Sequence, residues 1–128
     1  MVGFVIVSHS SRLAEGVADL AHMMAADVPV IPAGGLKDGS FGTDYDRICE
    51  AIAQADTGDG VIMLMDMGSA VMTAEMASEA LSGSHTVRLA DCPVAEGAVV
   101  GAVSSDSGAS LDEILQELGT VGSQKKLS

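Results

Sequence analysis

An α/β domain, doubly wound around a mainly parallel sheet with helices on both faces, is expected for residues 1–118, with a polar tail over 119–128. Two observations carry this expectation. Short apolar runs rich in Val, Ile and Met alternate repeatedly with stretches of helical period, the pattern of strand–helix–strand units. The runs are also nearly continuous rather than alternating, as strands buried on both faces are. Composition agrees, since 48% of residues are hydrophobic and only 2% aromatic, so the core must be aliphatic, with Ala and the 8 Met filling in.

The elements follow in order. Val2 to Val7 (VGFVIV) is the first strand. Leu13, Val17, Leu20, Ala21 and Met24 recur at helical spacing and are expected to form a buried face. Val28 to Ile31 is a second strand, and Pro29 and Pro32 put it at an edge, because proline cannot donate to a central ladder. A glycine-rich loop, GGLKDGSFGTD, spans 34–44. Thr43 with Asp46 three residues on resembles a capping box, opening a helix with Tyr45, Ile48, Ile52 and Ala55 on one face.

Val61 to Met65 is the third strand. Ser69 is the expected N-cap of a helix with Ala70, Ala74, Ala77 and Leu81 inside. Thr86 to Leu89 is a fourth strand, and Pro93 suits the first turn of a helix facing inward through Ala98, Val99, Ala102 and Val103. Ser110 with Glu113 is a second capping box, for a short helix carrying Leu111, Ile114, Leu115 and Leu118 and expected to stop at Gly119. The order expected of such a small domain is 2-1-3-4, with an added edge strand as a variant.

A net charge of −12 and a pI near 4.2 argue against nucleic acid and against an anionic membrane surface. The one basic pair, Lys125-Lys126, lies in the tail. No apolar run approaches the ~18 residues of a membrane span. The N-terminus lacks the basic start and cleavage site of a signal peptide, so a cytoplasmic protein is expected. Cys49 and Cys92 show no CxxC spacing and read as free thiols.

His9 follows the first strand and Asp66 the third. In the expected order these strands are neighbours whose connections leave in opposite directions, and the crevice at their carboxyl ends is the expected binding site. A carboxylate accepting from one imidazole nitrogen fixes the tautomer and leaves the other as a nucleophile. The helix N-termini beyond both strands and the 34–43 loop supply N–H groups suited to a phosphoryl group. Ser10, Arg12, Gly42, Thr43, Gly68 and Ser69 are the candidates for phosphate or partner contact. Asp66→Asn is expected to keep the fold, because its shape is nearly unchanged. His22, mid-helix, reads as structural, and His85 as a solvated loop residue.

Four segments together carry a family resemblance: VSHS around His9, GGLKDGSFGTD at 34–44, VIMLMDMGSA at 61–70 and PVAEGAVVGAV at 93–103. The chain resembles the DhaM family, the phosphotransferase subunits of bacterial dihydroxyacetone kinase, which have the mannose-type enzyme IIA fold of the sugar phosphotransferase system. The resemblance covers about Met1 to Leu118. It implies a phosphoenolpyruvate-driven relay. A histidine-containing phosphocarrier protein would pass its phosphoryl group to His9, with Asp66 as the carboxylate partner of the histidine. The group would go on to ADP in a second, nucleotide-carrying subunit and finally to dihydroxyacetone. The resemblance also implies a homodimer, no cofactor and no metal. Some members carry a phosphocarrier-like domain after the first.

A mannose-family sugar-transport enzyme IIA is the near alternative, but members of that branch usually follow the aspartate with a GGSP-like stretch, and here the residues are Met67-Gly68-Ser69-Ala70. A cobalt- or sirohydrochlorin-type chelatase is the distant one, because HSSR resembles its opening. A metal site needs several converging ligands, and His22 and His85 show no sign of joining His9.

Overall fold

A four-stranded sheet and five helices alternate along residues 1–127, the part of the chain that the computed structural model describes. They are β1 (Gly3–Ser8), α1 (Ser11–Met24), β2 (Val30–Gly34), α2 (Tyr45–Ala55), β3 (Val61–Met65), α3 (Ser69–Ala80), β4 (Val87–Ala90), α4 (Val94–Asp106) and α5 (Leu111–Val121). The strand order is β2-β1-β3-β4 and every pairing is parallel. The expected doubly wound sheet, with its order and its edge position for the proline-bearing strand, is borne out.

Side chains of β1 alternate between two cores, as strand geometry requires. Phe4 and Ile6 join Ile62 and Leu64 under α1, α4 and α5. Val5 and Val7 join Val61 and Met63 under α2 and α3. α1, α3 and α4 meet the sheet largely through alanine and glycine, which lets their backbones come close. Among the described residues, no helix is long and apolar enough to cross a membrane.

Close approach also explains where the expectations fail. The buried face of α1 is Ala14, Val17, Ala18 and Ala21, while Leu13, Leu20 and Met24 are 45%, 41% and 57% exposed. The stripe has rotated toward its small residues, because a leucine inside would hold the helix off the sheet. In α4 the inner positions are Gly97, Ala98, Gly101, Ala102 and Ser105, with Val99 half-buried and Val103 exposed. A Cβ on Gly101 would lie 2.7 Å from the Phe4 ring.

Capping differs too. Asp44, not Thr43, caps α2 by accepting from the Arg47 N–H. Gly68, not Ser69, is the N-cap of α3, and Pro93 that of α4. The Ser110–Glu113 capping box forms as expected. Gly119 does not stop α5, which runs on to Val121, a core residue. Burial of Val121 outweighs the ~1 kcal/mol disadvantage of one glycine in a helix. β2 starts at Val30 rather than Val28, and the Pro29 carbonyl ahead of it accepts from the Phe4 N–H at 2.8 Å.

Two glycines make opposite predictions. A Cβ on Gly34 would sit 2.4 Å from the Ser10 carbonyl oxygen, a backbone atom that cannot swing aside. Gly34→Ala is expected to lose about 1–3 kcal/mol by overpacking. Gly16 is exposed within α1, and a Cβ there meets nothing within 4 Å. Gly16→Ala is expected to gain about 0.5–1 kcal/mol. Urea denaturation of both variants checks the pair of signs.

Candidate active site

The site begins with strand register. Val7 pairs with Met65, so the residues that follow, Ser8-His9 and Asp66, leave neighbouring strands side by side. The Asp66 N–H donates to the Val7 carbonyl at 3.0 Å, extending the ladder past the end of β3. On the other flank the Gly35 N–H donates to the Ser8 carbonyl (3.1 Å) and the Gly42 N–H to the His9 carbonyl (2.9 Å). The backbone at His9 is thus held from both sides.

Asp66 is the hub. Its Oδ2 accepts from the Ser8 hydroxyl and from the His9 N–H, each at 2.9 Å. Its Oδ1 accepts from the Met67 N–H at 2.6 Å and from His9 Nδ1 at 3.0 Å. The side chain of Asp66 is only 14% exposed and that of His9 30%. Burial pushes the Asp66 carboxyl up, but the hydrogen bonds from the His9 N–H, the Met67 N–H, the Ser8 hydroxyl and the His9 ring together outweigh it and hold the group below the usual carboxylate range. With Nδ1 donating to the carboxylate, the lone pair of the neutral ring lies on Nε2, which accepts from the Ser69 hydroxyl at 2.8 Å.

Ser69 therefore reaches His9 rather than capping its own helix. Gly68 ahead of it adopts φ 56°, a left-handed conformation that glycine takes without steric cost. The N–H groups of Ala70 and Val71 are taken by the Met67 and Gly68 carbonyls, whereas those of Gly68 and Ser69 meet no acceptor among the described residues. The Thr73 hydroxyl donates to the Ser69 carbonyl at 2.8 Å and accepts from the Thr43 hydroxyl at 3.1 Å. That contact ties the glycine-rich loop to α3.

The structure brings His9, Asp66 and Ser69 into direct contact, with Gly42 on the His9 carbonyl and Thr43 two contacts out from Ser69, through Thr73. Ser10 caps α1 through its side chain, accepting from the Leu13 N–H. Arg12 is exposed and, among the described residues, is not joined to His9 or Asp66. Ser8 is not among the candidate residues that the sequence offers. The signal was there, because a serine closing an otherwise apolar strand must find a partner when buried, and Ser8 is fully buried. Thr73 had no such signal.

The other histidines lie apart. His22 Nε2 bonds the Val28 carbonyl at 3.0 Å, a structural role. His85 is not a solvated loop residue, since its Nδ1 lies 2.7 Å from Asp56 Oδ2 and its side chain is 22% exposed. Among the described residues, no three His, Cys, Asp or Glu side chains cluster as a metal site would require. A groove of about 740 Å³ lies between α1, α4 and the last residues, crossed by the Lys126–Glu96 ion pair, and no residue that touches His9 lines it. Neither cysteine is in a disulfide, and burial pushes the Cys92 thiol up to about 11, out of reactive range.

The geometry revises the expectation for Asp66→Asn. Whichever way the amide turns, its NH₂ replaces an oxygen that now accepts from backbone N–H. The variant is expected to lose about 1–3 kcal/mol at pH 7. The folded carboxyl is held low, so its contribution to stability is complete above the unfolded value of ~3.9 and is lost as pH falls from there through the lower folded value. Denaturation at pH 7 and pH 3 should show the gap between the wild type and Asp66→Asn shrinking in acid.

Three comparisons with known proteins match nearly the whole chain. The family model for EIIA-man, the PTS system fructose IIA component, matches residues 3–115. The chain is 42% identical over 121 residues to the Escherichia coli (strain K12) protein named PEP-dependent dihydroxyacetone kinase, phosphoryl donor subunit DhaM. That match covers 90% of this chain but 26% of the relative, so the chain spans about a quarter of the relative's length. The Listeria innocua protein named PEP-dependent dihydroxyacetone kinase 2, phosphoryl donor subunit DhaM, is 36% identical over 124 residues, which is 94% of this chain and 99% of the relative. Among solved structures, a protein of unknown function, EF1359, superposes with a TM-score of 0.83 at 30% identity, covering 99% of this chain and 98% of that one. The chain belongs to the EIIA-man family of phosphotransferase-system components, and within it to the DhaM family.

Proposed function

We propose that this chain is a phosphohistidine relay in which His9 Nε2 takes a phosphoryl group from the histidine-containing phosphocarrier protein and gives it to ADP held in the nucleotide-carrying subunit of dihydroxyacetone kinase. The observation that carries the reading is the His9–Asp66 pair. A half-buried carboxylate holds Nδ1 at 3.0 Å and turns the Nε2 lone pair toward Ser69 at the start of α3.

The chemistry follows from that pair. Neutral Nε2 attacks the phosphorus in line with the departing donor nitrogen, and the N–P bond forms as the donor's breaks. The ring now shares positive charge, which the Asp66 carboxylate offsets without changing its own protonation. The Gly68 and Ser69 N–H groups and the Ser69 hydroxyl are the donors available to the phosphoryl oxygens. Arg12, Gly42 and Thr43 would meet the partner proteins or shape the loop they touch. The step back runs by the same geometry, with the terminal oxygen of ADP as nucleophile. This role needs no metal or cofactor on this chain. The same reading makes the protein a cytoplasmic homodimer.

Incubation with phosphoenolpyruvate, enzyme I and the phosphocarrier should label the chain with an acid-labile, base-stable phosphoryl group, and His9→Ala should abolish the label. Label surviving in His9→Ala, or lost in base as an acyl phosphate would be, would overturn the assignment. In single-turnover transfer, Asp66→Asn should react roughly 10- to 1000-fold more slowly. That is less than the ~10⁴-fold of the analogous change in a protease triad, because much of the rate comes from positioning the donor. Stoichiometric Co²⁺ or Ni²⁺ binding lost in His9→Ala would instead favour a chelatase.

A further inference from the structure

We propose that Ser8 is a positioning residue of this relay, holding the Asp66 carboxylate in the orientation and charge state that keep the proton on His9 Nδ1. The proposal rests on the phosphotransfer reading above, and gives a role to a residue of the VSHS segment that had none.

Directionality comes first. The Ser8 oxygen accepts from the Ser10 N–H at 3.0 Å. Its hydroxyl proton is thereby left for Asp66 Oδ2, 2.9 Å away. The chain of donors runs one way, from the N-cap residue of α1 through Ser8 to the carboxylate. Ser8 is fully buried, so no solvent stands ready to replace its proton.

Position comes second. Oδ2 is also bonded by the His9 N–H, and Oδ1 by the Met67 N–H. These two N–H groups sit on opposite sides of the crevice, one from each strand end. The Ser8 hydroxyl adds a third fixed donor, which leaves the carboxylate no freedom to rotate away from the ring. Both oxygens then lie within 3.3 Å of Nδ1. A carboxylate so held competes poorly for a proton and accepts the Nδ1–H in one geometry. Of the groups that meet it, from the β1–α1 junction and from its own β3–α3 junction, His9 is the titratable one.

Removing the hydroxyl has two linked effects. The carboxyl loses a donor that favours its charged form, so its titration moves upward. The ring loses part of the bias toward the Nδ1–H tautomer, so less of it presents a free Nε2. A serine that served packing alone would change stability and leave both properties where they are.

The test is ¹³C NMR of the Asp66 carboxyl through an acid titration, with single-turnover transfer from the phosphorylated phosphocarrier measured across pH, in the wild type, Ser8→Ala and Ser8→Thr. Ser8→Ala should titrate Asp66 at higher pH than the wild type. It should transfer on the order of tenfold more slowly, the rate equivalent of one hydrogen bond to a charged group, with its acid limb displaced upward. Ser8→Thr, which keeps the hydroxyl, should recover both. Should Ser8→Ala fold poorly, Ser8→Cys, with its weak S–H donor, is measured in its place and should fall between Thr and Ala. An unchanged Asp66 titration in a folded variant, or slower transfer with an unmoved pH profile, overturns the proposal. If the wild-type chain takes no phosphoryl group at all, the relay reading fails, and the carboxyl titration still reports whether Ser8 sets the state of Asp66.

Discussion

The parallel pairing of β1 with β3 is the constraint on which the rest depends. Phe4 faces Ile62 and Val7 faces Met65 along one register. A slip of one residue would exchange the two cores, because successive side chains point to opposite faces. Phe4 would leave Gly101 of α4, which accommodates its ring, and Val5 and Val7 would leave α2 and α3. The register is therefore fixed by packing over the whole strand. Its consequence at the strand ends is chemical, since it delivers Ser8, His9 and Asp66 to the same point from distant parts of the chain.

Once there, the three form a polar knot in a region otherwise built from aliphatic side chains. A buried carboxylate is costly unless its oxygens are satisfied. Here two backbone N–H groups, one hydroxyl and the imidazole satisfy them. The same bonds that make burial tolerable also fix the tautomer of His9. Stability and reactivity draw on one set of contacts, which is why a change at Asp66 should register in both. The Asp56–His85 pair, by contrast, fixes the α2–β3 turn to the approach to β4, and its carboxyl too is held low, chiefly by the His85 side chain. It resembles the site in composition but lies away from the carboxyl ends of the strands.

The fold was legible because its signals were local. Continuous apolar runs marked the strands, Pro29 and Pro32 marked an edge, and Ser110 with Glu113 marked a helix start. The meeting of His9 with Asp66 was legible through topology, once strand order implied neighbouring strand ends. What was not legible depended on distance of approach. Nothing in the period of α1 says that Ala14 and Ala18 turn inward and Leu13 and Leu20 outward. That choice is made by how near the helix lies to β1 and β2. The capping role expected of Ser69 failed for a similar reason. Its helix begins at a glycine with positive φ, which frees the serine to reach across to a ring that a cap would never meet. That of Thr43 failed likewise, its hydroxyl being drawn to Thr73 rather than to its own helix.

The central claim is that Asp66 holds Nδ1 and leaves Nε2 to carry the phosphoryl group. The most direct measurement is a long-range ¹H–¹⁵N correlation spectrum of the histidine-labelled protein before and after phosphorylation. It should show the Nδ1–H tautomer of His9 in the resting protein and phosphorus coupling at Nε2 afterward. A resting Nε2–H tautomer, or phosphorus on Nδ1, would contradict the account.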